Sequence, residues 1–516
     1  MDIFAHLFAN LGTGFGTALS PLNLLFGFIG VVVGTAIGVL PGIGPALTIS
    51  LLLPLTFGLD PATAFILFGG IYYGAMYGGS TTSILVNTPG ESASVVTTLD
   101  GFRMAKQGRG GAALATAAIG SFFAGTFATL MLMLLAPALV EFALKFGPPE
   151  YFAIMFLALT AVTGLAGESA PKAMFATLLG LGIGMVGIDL QTGQARFTFG
   201  SPHLLSGIDI VTAAIGLFAI GEVLWTAGTF RHVQEETIKT TGTLWMSRDE
   251  WSRSAPAWAR GSLLGFIIGI LPGAGATVAT FLSYNLERRS SKTPEKFGTG
   301  MIEGVAGPEA ANNASAGGSL VPLLALGIPG SGTTAMMLAA FQLYGLRPGP
   351  LLFAQRPELV WGLIASLYIG NALLLLLNLP LVGLWIKMLD VPKPLLFGSI
   401  LVFSVLGVYS NEGSLIGLLV LLLLGLLAFF MRRHGFPMAP VVLGVVLGPL
   451  IEQEFRRSLL ISVGNPAIFF TRPLSMVILI LAFLSLLIPF AEILWKRYQA
   501  RQGRAVAVPT FGDEKD

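Results

Sequence analysis

The chain has 516 residues, 54% of them hydrophobic and 11% charged, with a mean hydropathy of +0.80. A soluble globular protein carries about 25% charged residues, so this chain cannot cover a water-facing surface and reads as a polytopic membrane protein. A net charge of +2 excludes a basic field for nucleic acid, and the lack of cysteine excludes disulfides, iron–sulfur clusters and thiolate chemistry.

Residues 1–20 have no basic n-region, so no cleavable signal peptide is expected; they read as a short amphipathic helix at the membrane interface. The apolar run 24–40 is close to the length that crosses a hydrocarbon core. It leads into IGVLPGIG at 37–44. No Lys or Arg precedes Arg103; Arg103, Lys106 and Arg109 then follow in a Gly-rich stretch, predicted to be a cytoplasmic loop by the positive-inside rule. Predicted spans at 112–142, 152–167, 173–190 and 208–228 alternate from there. Gly147 and the polar loop 191–206 fall outside.

Residues 229–260 are the most polar interior stretch. Trp245, Trp251 and Trp258 recur there at near-helical spacing, and Trp favours the interface. The stretch is predicted to be a linker along the cytoplasmic surface. The segment 262–286 follows and carries a near copy of the first cluster, IGILPGAG at 268–275. Basic residues flank this copy on both sides, Arg260 before it and Arg288, Arg289, Lys292 and Lys296 after it. The first copy, in the region 27–59, has none. Two re-entrant hairpins entering from opposite faces are therefore expected, the charge signature of an inverted repeat. Spans at 359–386, 395–409, 415–431, 439–451 and 475–495 complete the chain. By parity Arg456, Arg457 and Arg472 fall on the outer side, against the rule.

The predicted organisation is an interfacial helix at 1–20, a first repeat at 21–228, a linker at 229–260, a second repeat at 261–495 and a cytoplasmic tail at 496–516. The fold class is an all-α polytopic membrane protein: an inverted-repeat secondary transporter with two re-entrant helical hairpins and two broken transmembrane helices.

Each half carries a second breaker cluster, GGSTTSILVNTPGES at 78–92 and GGSLVPLLALGIPGSGTT at 317–334. GGS and the later PG align at nearly constant offset. PEAANNASA at 308–316 then matches IYYGAMY at 71–77. Pro removes an N–H and Gly admits positive φ, so a PG pair ends a helix and frees backbone groups. In hydrocarbon such groups survive only where protein or a water-filled cavity surrounds them. Freed carbonyls suit a hard cation, and the N-terminus of the next half-helix suits an anion. The neutral side chains Ser80, Thr81, Thr82, Asn87, Thr88, Asn312, Asn313, Ser331 and Thr333 can hold an ion or carboxylate without carrying charge into the bilayer. Glu91, Glu303 and Glu309 lie beside the clusters as cation ligands, proton carriers or water-facing helix ends. Isolated glycines such as Gly180, Gly182, Gly184 and Gly216 read as packing. No HExxH, GxSxG or Walker A sequence is present, and no enzyme is expected.

GTAIGVLPGIGPALTISLLLPL, GGSTTSILVNTPGESASVVTTLDGFRMAKQG, GPEAANNASAGGSLVPLLALGIPGS and YGLRPGPLLF together resemble the large membrane subunit of the tripartite tricarboxylate transporters. The resemblance covers about residues 20–495. It implies import of citrate or related carboxylates across a bacterial inner membrane, driven by Na⁺ or H⁺. It also implies a periplasmic solute-binding protein, a small four-helix membrane subunit and elevator-type movement. The family's motif positions fall here on Pro41, Gly42 and Gly44, on Asn87, Thr88, Pro89 and Gly90, on Pro272, Gly273 and Gly275, and on Asn312, Asn313, Pro329, Gly330 and Ser331. The tips (Pro41, Gly42, Gly44, Pro272, Gly273, Gly275) with Asn87 and Asn313 are expected to hold Na⁺, and the breaks with their Ser/Thr/Asn groups the substrate. No cofactor is expected beyond the coupling ion. A standalone Na⁺/carboxylate symporter and a passive anion channel are the alternatives.

Overall fold

The computed structural model describes residues 2–40, 43–165, 169–189, 191–229, 245–388 and 391–501. Helices dominate. In the first half they are α1 (Asp2–Ala18), α2 (Pro21–Val39), α3 (Pro45–Leu52), α4 (Pro61–Leu85), α5 (Val95–Met104), α6 (Gly110–Ala143), α7 (Pro148–Leu165), α8 (Ala170–Gly184), α9 (Ile210–Ala214) and α10 (Gly221–Thr229). In the second they are α11 (Arg248–Ile270), α12 (Gly275–Ser290), α13 (Glu303–Leu326), α14 (Gly332–Leu343), α15 (Pro350–Gln355), α16 (Pro357–Asn378), α17 (Val382–Lys387), α18 (Lys393–Glu412), α19 (Leu415–Arg433), α20 (Met438–Ile461), α21 (Ile468–Thr471) and α22 (Pro473–Arg501). Among the described residues, seven helical stretches are long and apolar enough to cross a membrane. The all-helical expectation misses one small element, an antiparallel pairing of Gly187–Ile188 with Ala195–Arg196 in the polar loop after α8.

Helices α4 and α13 form the centre, buried along nearly their whole length. Glycines decide how each meets its neighbour. On α2, Gly30, Gly34 and Gly38 recur every fourth residue, and a Cβ at each would lie 2.4–2.5 Å from the Leu67, Ile71 and Ala75 carbonyls of α4. On α11, a Cβ at Gly261, Gly265 or Gly269 would likewise lie 2.2–2.4 Å from the Gly307, Ala311 and Ser315 carbonyls of α13. Small residues at this spacing let two backbones touch, which suits helix association where no hydrophobic drive exists.

The return contacts agree. Gly78 abuts Thr35 and Gly38, and Gly318 abuts Phe266 and Gly269. Gly78 therefore matches Gly318, and Gly79 matches Ser319. The packed register is one residue away from the GGS-to-GGS alignment expected from the motif. The notches on the partner helix set register, and in that register both PG pairs fall at one interval from the central helix.

The charges separate to two ends. Helix α6 has 34 residues, about 50 Å at 1.5 Å per residue. At its start Arg109 pairs with Glu250 (2.7 Å), near the Arg253–Glu303 (2.6 Å) and Arg260–Glu287 (2.5 Å) pairs. Buried Asp100 accepts the N–H groups of Gly298 (2.9 Å), Gly300 (2.8 Å) and Met301 (2.8 Å) there, and the Tyr284 hydroxyl (2.9 Å). Past the other end of α6, Arg472 pairs with Glu150 at 2.6 Å, Arg456 with Asp189 at 2.8 Å and Arg457 with Glu454 at 3.0 Å. The three arginines that break the positive-inside rule thus each have an acid partner.

Asp189 at this end has its pKa lowered to about 2, by the Gln191 and Thr192 backbone N–H groups and then by Arg456 and Arg196. A depressed carboxylate stabilises the fold above its unfolded pKa and loses that contribution as pH falls through the folded one. Thermal unfolding in detergent should therefore lose stability from about pH 4 down to about pH 2. Asp189→Asn should flatten that step, and an unchanged step would assign it to other carboxylates.

Several expectations are corrected. The Gly-rich stretch at 103–109 is a short kink between α5 and α6 rather than a longer loop: Gly108 leaves helical geometry at φ 77° and separates the two helices. The linker boundary at 260 cuts through α11, which starts at a Ser247/Glu250 capping box and runs unbroken to Ile270. Residues 230–244 of that linker lie outside the described residues, as does the tail from 502. The three tryptophans form a ladder, with ring centroids 5.9 and 5.4 Å apart. Trp258 is buried against Gly120 of α6, and its N–H donates to Thr116 (3.2 Å). Helix α1 lies along α16, where a Cβ on Gly14 would stand 2.3 Å from the Trp361 carbonyl.

Candidate transport site

Each central helix ends in the same way. After α4, Asn87 takes φ 57°; after α13, Gly327 takes φ 71°. These are matching positions, and Asn is among the few residues with a side chain that enter the left-handed region readily. The chain then folds back along its own helix. Gly90 lands on Gly79, with a Cβ position 2.1 Å from the Gly38 carbonyl; Gly330 lands on Ser319, 3.1 Å from the Gly269 carbonyl. Both carbonyls belong to the last turn before a tip.

The second tip is tied in by the Gly273 N–H (φ 83°), which donates to the Gly330 carbonyl at 3.1 Å. At the first tip Gly44 leads into α3 and its carbonyl accepts from Thr48. A Cβ on Gly44 or Gly275 would meet nothing within 4 Å, so both tips border open space. Pro41 and Gly42 lie outside the described residues.

The two halves meet reciprocally. Tyr72 on α4 has its hydroxyl 3.0 Å from that of Ser319 and 3.3 Å from that of Ser331, at the second break. Asn312 on α13 donates to the Glu91 carboxylate, at the first break, at 3.0 Å. In the packed register Tyr72 matches Asn312, and Glu91 matches Ser331. One residue of each central helix thus reaches the segment that follows the other central helix. Nearby, α3 packs on α14, and α12 packs on the turn Ser92–Ser94, where Thr277 bonds Ser92 at 3.1 Å.

The expected site residues divide. Ser80, Thr81, Asn312, Asn313, Pro329, Gly330 and Thr333 are buried, with Ser331 half-buried at the N-cap of α14. Asn313 donates to Ser121 at 2.6 Å. Thr82 is turned onto the Gly79 carbonyl (3.1 Å), and Thr88 bonds only the Val86 carbonyl (3.4 Å). Pro89 and Pro272 are half-buried, and Asn87 is exposed. Of the three glutamates, Glu303 is the partner of Arg253 at a helix start, Glu91 holds Asn312, and Glu309 is fully buried. Motif reading missed Tyr72, Thr97 and Ser121. The match of 71–77 to 308–316 carried a signal for Tyr72 and the motif at 78–108 contains Thr97, whereas nothing near Ser121 in sequence marks it.

A cavity of about 660 Å³ opens where α13 ends. Its walls include Leu326, Gly327, Gln342, Arg347, Gln453 and Arg457. It lies at the end of the molecule that carries Glu150 and Arg472, since Gly147 and Tyr151 also line it.

Residues 24–443 match the Tripartite tricarboxylate transporter TctA family. The chain belongs to this family. It is similar to the 52.8 kDa protein of the TAR-I ttuC' 3' region of Agrobacterium vitis, 49% identical over 474 residues, covering 91% of this chain and 93% of that one. A protein of the TAR-II ttuC' 3' region of the same organism is 47% identical over 211 residues, 41% of this chain and 87% of that one. No solved structure matches. The chain is thus a multi-pass membrane protein and a permease-type member of the TctA family. The chemistry that this TctA-family chain gathers at its breaks is backbone carbonyls and N–H groups, hydroxyls and amides, with two carboxylates and no arginine or lysine among the residues in contact there.

Proposed function

We propose that the chain is the permease subunit of an importer of tricarboxylates or related, citrate-like carboxylates. It takes substrate from a periplasmic solute-binding protein, works with a small four-helix membrane subunit in a bacterial inner membrane, and draws on a Na⁺ or H⁺ gradient. The two halves act as inverted repeats, each with a re-entrant hairpin and a broken helix. The carboxylate sits at the breaks, on Ser/Thr/Asn groups and half-helix N–H groups, and the site crosses the bilayer by an elevator-type movement. The observation that carries this reading is the reciprocal pair Tyr72–Ser331 and Asn312–Glu91. It ties each central helix to the segment that follows the other one, which supports a site shared by the two halves.

Proteoliposomes loaded with the permease and small subunit should accumulate a tricarboxylate uphill only when the binding protein and an ion gradient are both supplied. Accumulation without the binding protein would leave a standalone symporter, and equilibration without any gradient a channel.

Asn313→Ala should abolish uptake while leaving the protein inserted. At Asn87 the backbone and side chain can be separated. Asn87→Ala strains the left-handed position by about 1 kcal/mol, whereas Asn87→Gly relieves it. Uptake lost in both variants assigns the amide to the site; uptake restored by glycine removes Asn87 from it.

The outer cavity is the entry. Arg347 lines it with no acid partner among the described residues. Arg347→Gln should raise KM about tenfold at unchanged kcat, the pattern of lost uniform binding, and Arg347→Lys should restore most of it. An unchanged KM would place entry elsewhere.

A further inference from the structure

We propose that the Glu309 carboxylate, with the Ser80 and Thr97 hydroxyls, forms a Na⁺ site, on the reading of the chain as a cation-coupled carboxylate importer. Glu309 lies in the second turn of α13 and is 0% exposed. The Ser80 hydroxyl bonds one of its oxygens and the Thr97 hydroxyl the other. Both hydroxyls are buried as well. Three helices from both halves thus converge on one carboxylate.

No basic side chain answers this charge. Arg260, the cation of α11 nearest that layer, is bound to Glu287, whose side chain packs on Gly307. Asp100 of α5 is itself saturated by three N–H groups and Tyr284. Glu91 adds a further carboxylate, and α4 adds hydroxyls, among them those of Tyr72, Tyr73 and Tyr77, but no Lys or Arg. Helix α6 presents Ser121 and Thr116. A carboxylate with only two hydroxyl partners at this depth is costly unless a cation accompanies it, and hard oxygen donors select a hard cation.

Two further observations point to an occupant. The Oδ1 of Asn312, one turn along α13 from Glu309 and 0% exposed, has no partner, and neither does the buried Oδ1 of Asn378. A cavity of about 10 Å³ borders Ser80, though not Glu309 or Thr97, and is lined also by Tyr77, Thr81, Ser121, Asn378 and the apolar Leu114, Ala117 and Ala118. That is room for about one water-sized particle. The site also explains coupling. Ser80 and Thr97 lie on the two helices that bracket the 86–91 break, so a cation held between them and Glu309 fixes that break against the second half.

The test uses purified permease with its small subunit in proteoliposomes. Carboxylate exchange without any gradient reports the underlying transport reading; Na⁺-driven accumulation and Na⁺-dependent thermal stabilisation over choline report the cation site. Thr97→Val, which keeps packing, should raise the half-saturating Na⁺ concentration about 10–100-fold and keep exchange at high Na⁺. Glu309→Gln should lose both Na⁺ responses. Either variant retaining wild-type Na⁺ affinity overturns the site, as does a wild type driven by a pH gradient and indifferent to Na⁺. Absence of exchange in the wild type would instead sink the importer reading.

Discussion

Substituting Gly90 by alanine is expected to abolish carboxylate uptake. The added methyl would stand 2.1 Å from the Gly38 carbonyl and 2.6 Å from the Gly79 Cα. Both obstacles are backbone on packed helices, so neither can swing aside as a side chain would. Overpacking of this kind costs about 1–3 kcal/mol in a core. Here the strain falls on the fold-back that places the first break, so transport should fail before the protein does. The expected result is correct insertion, a modest loss of thermal stability and uptake reduced by about a hundredfold, since 1.4 kcal/mol is a factor of ten. The control is Gly182→Ala on α8, where a Cβ meets nothing within 4 Å. It should keep uptake and gain up to about 1 kcal/mol of helix propensity. Wild-type uptake by Gly90→Ala would show that the fold-back does not position the site.

Asn312→Ala carries the second large effect. It removes the amide that donates to Glu91 at 3.0 Å and leaves a partly buried carboxylate short of a donor. Loss of such a partner costs about 1–3 kcal/mol. The expected outcome is a ten- to hundredfold fall in exchange, about 1.4–2.8 kcal/mol. The reciprocal change, Tyr72→Phe, removes a hydroxyl–hydroxyl contact to Ser331 and should cost about 1 kcal/mol. A double-mutant cycle of Asn312→Ala with Glu91→Gln should give a coupling of about 0.5–3 kcal/mol. Strict additivity would mean that the two residues act independently and that the halves are not joined there.

Both experiments rest on contacts that the sequence partly announces. The paired LPG and PG clusters could be read from composition and helix chemistry, because Pro and Gly break a helix wherever they stand. Basic residues around one hairpin and not the other could be read as well. The register could not. GGS repeats as a motif, yet Gly78 packs as Gly318 does, because register is set by notches on another helix. Charge parity left Arg456, Arg457 and Arg472 as anomalies, since their acids lie up to hundreds of residues away along the chain. The tryptophans make a related point: spacing shows that they share a face, not what covers it, and Thr116 and Gly120 of α6 cover Trp258.

By itself the sequence determined a polytopic helical membrane protein, its repeated breakers and its family, because hydropathy, helix-breaking chemistry and long motifs are local properties. Only the tertiary structure decided that Tyr72 meets Ser331 and Asn312 meets Glu91, and that Glu309 is enclosed with Ser80 and Thr97 rather than set at a helix end. Those are pairings between helices, and which face of one helix meets another is set by packing, which no single stretch of chain contains.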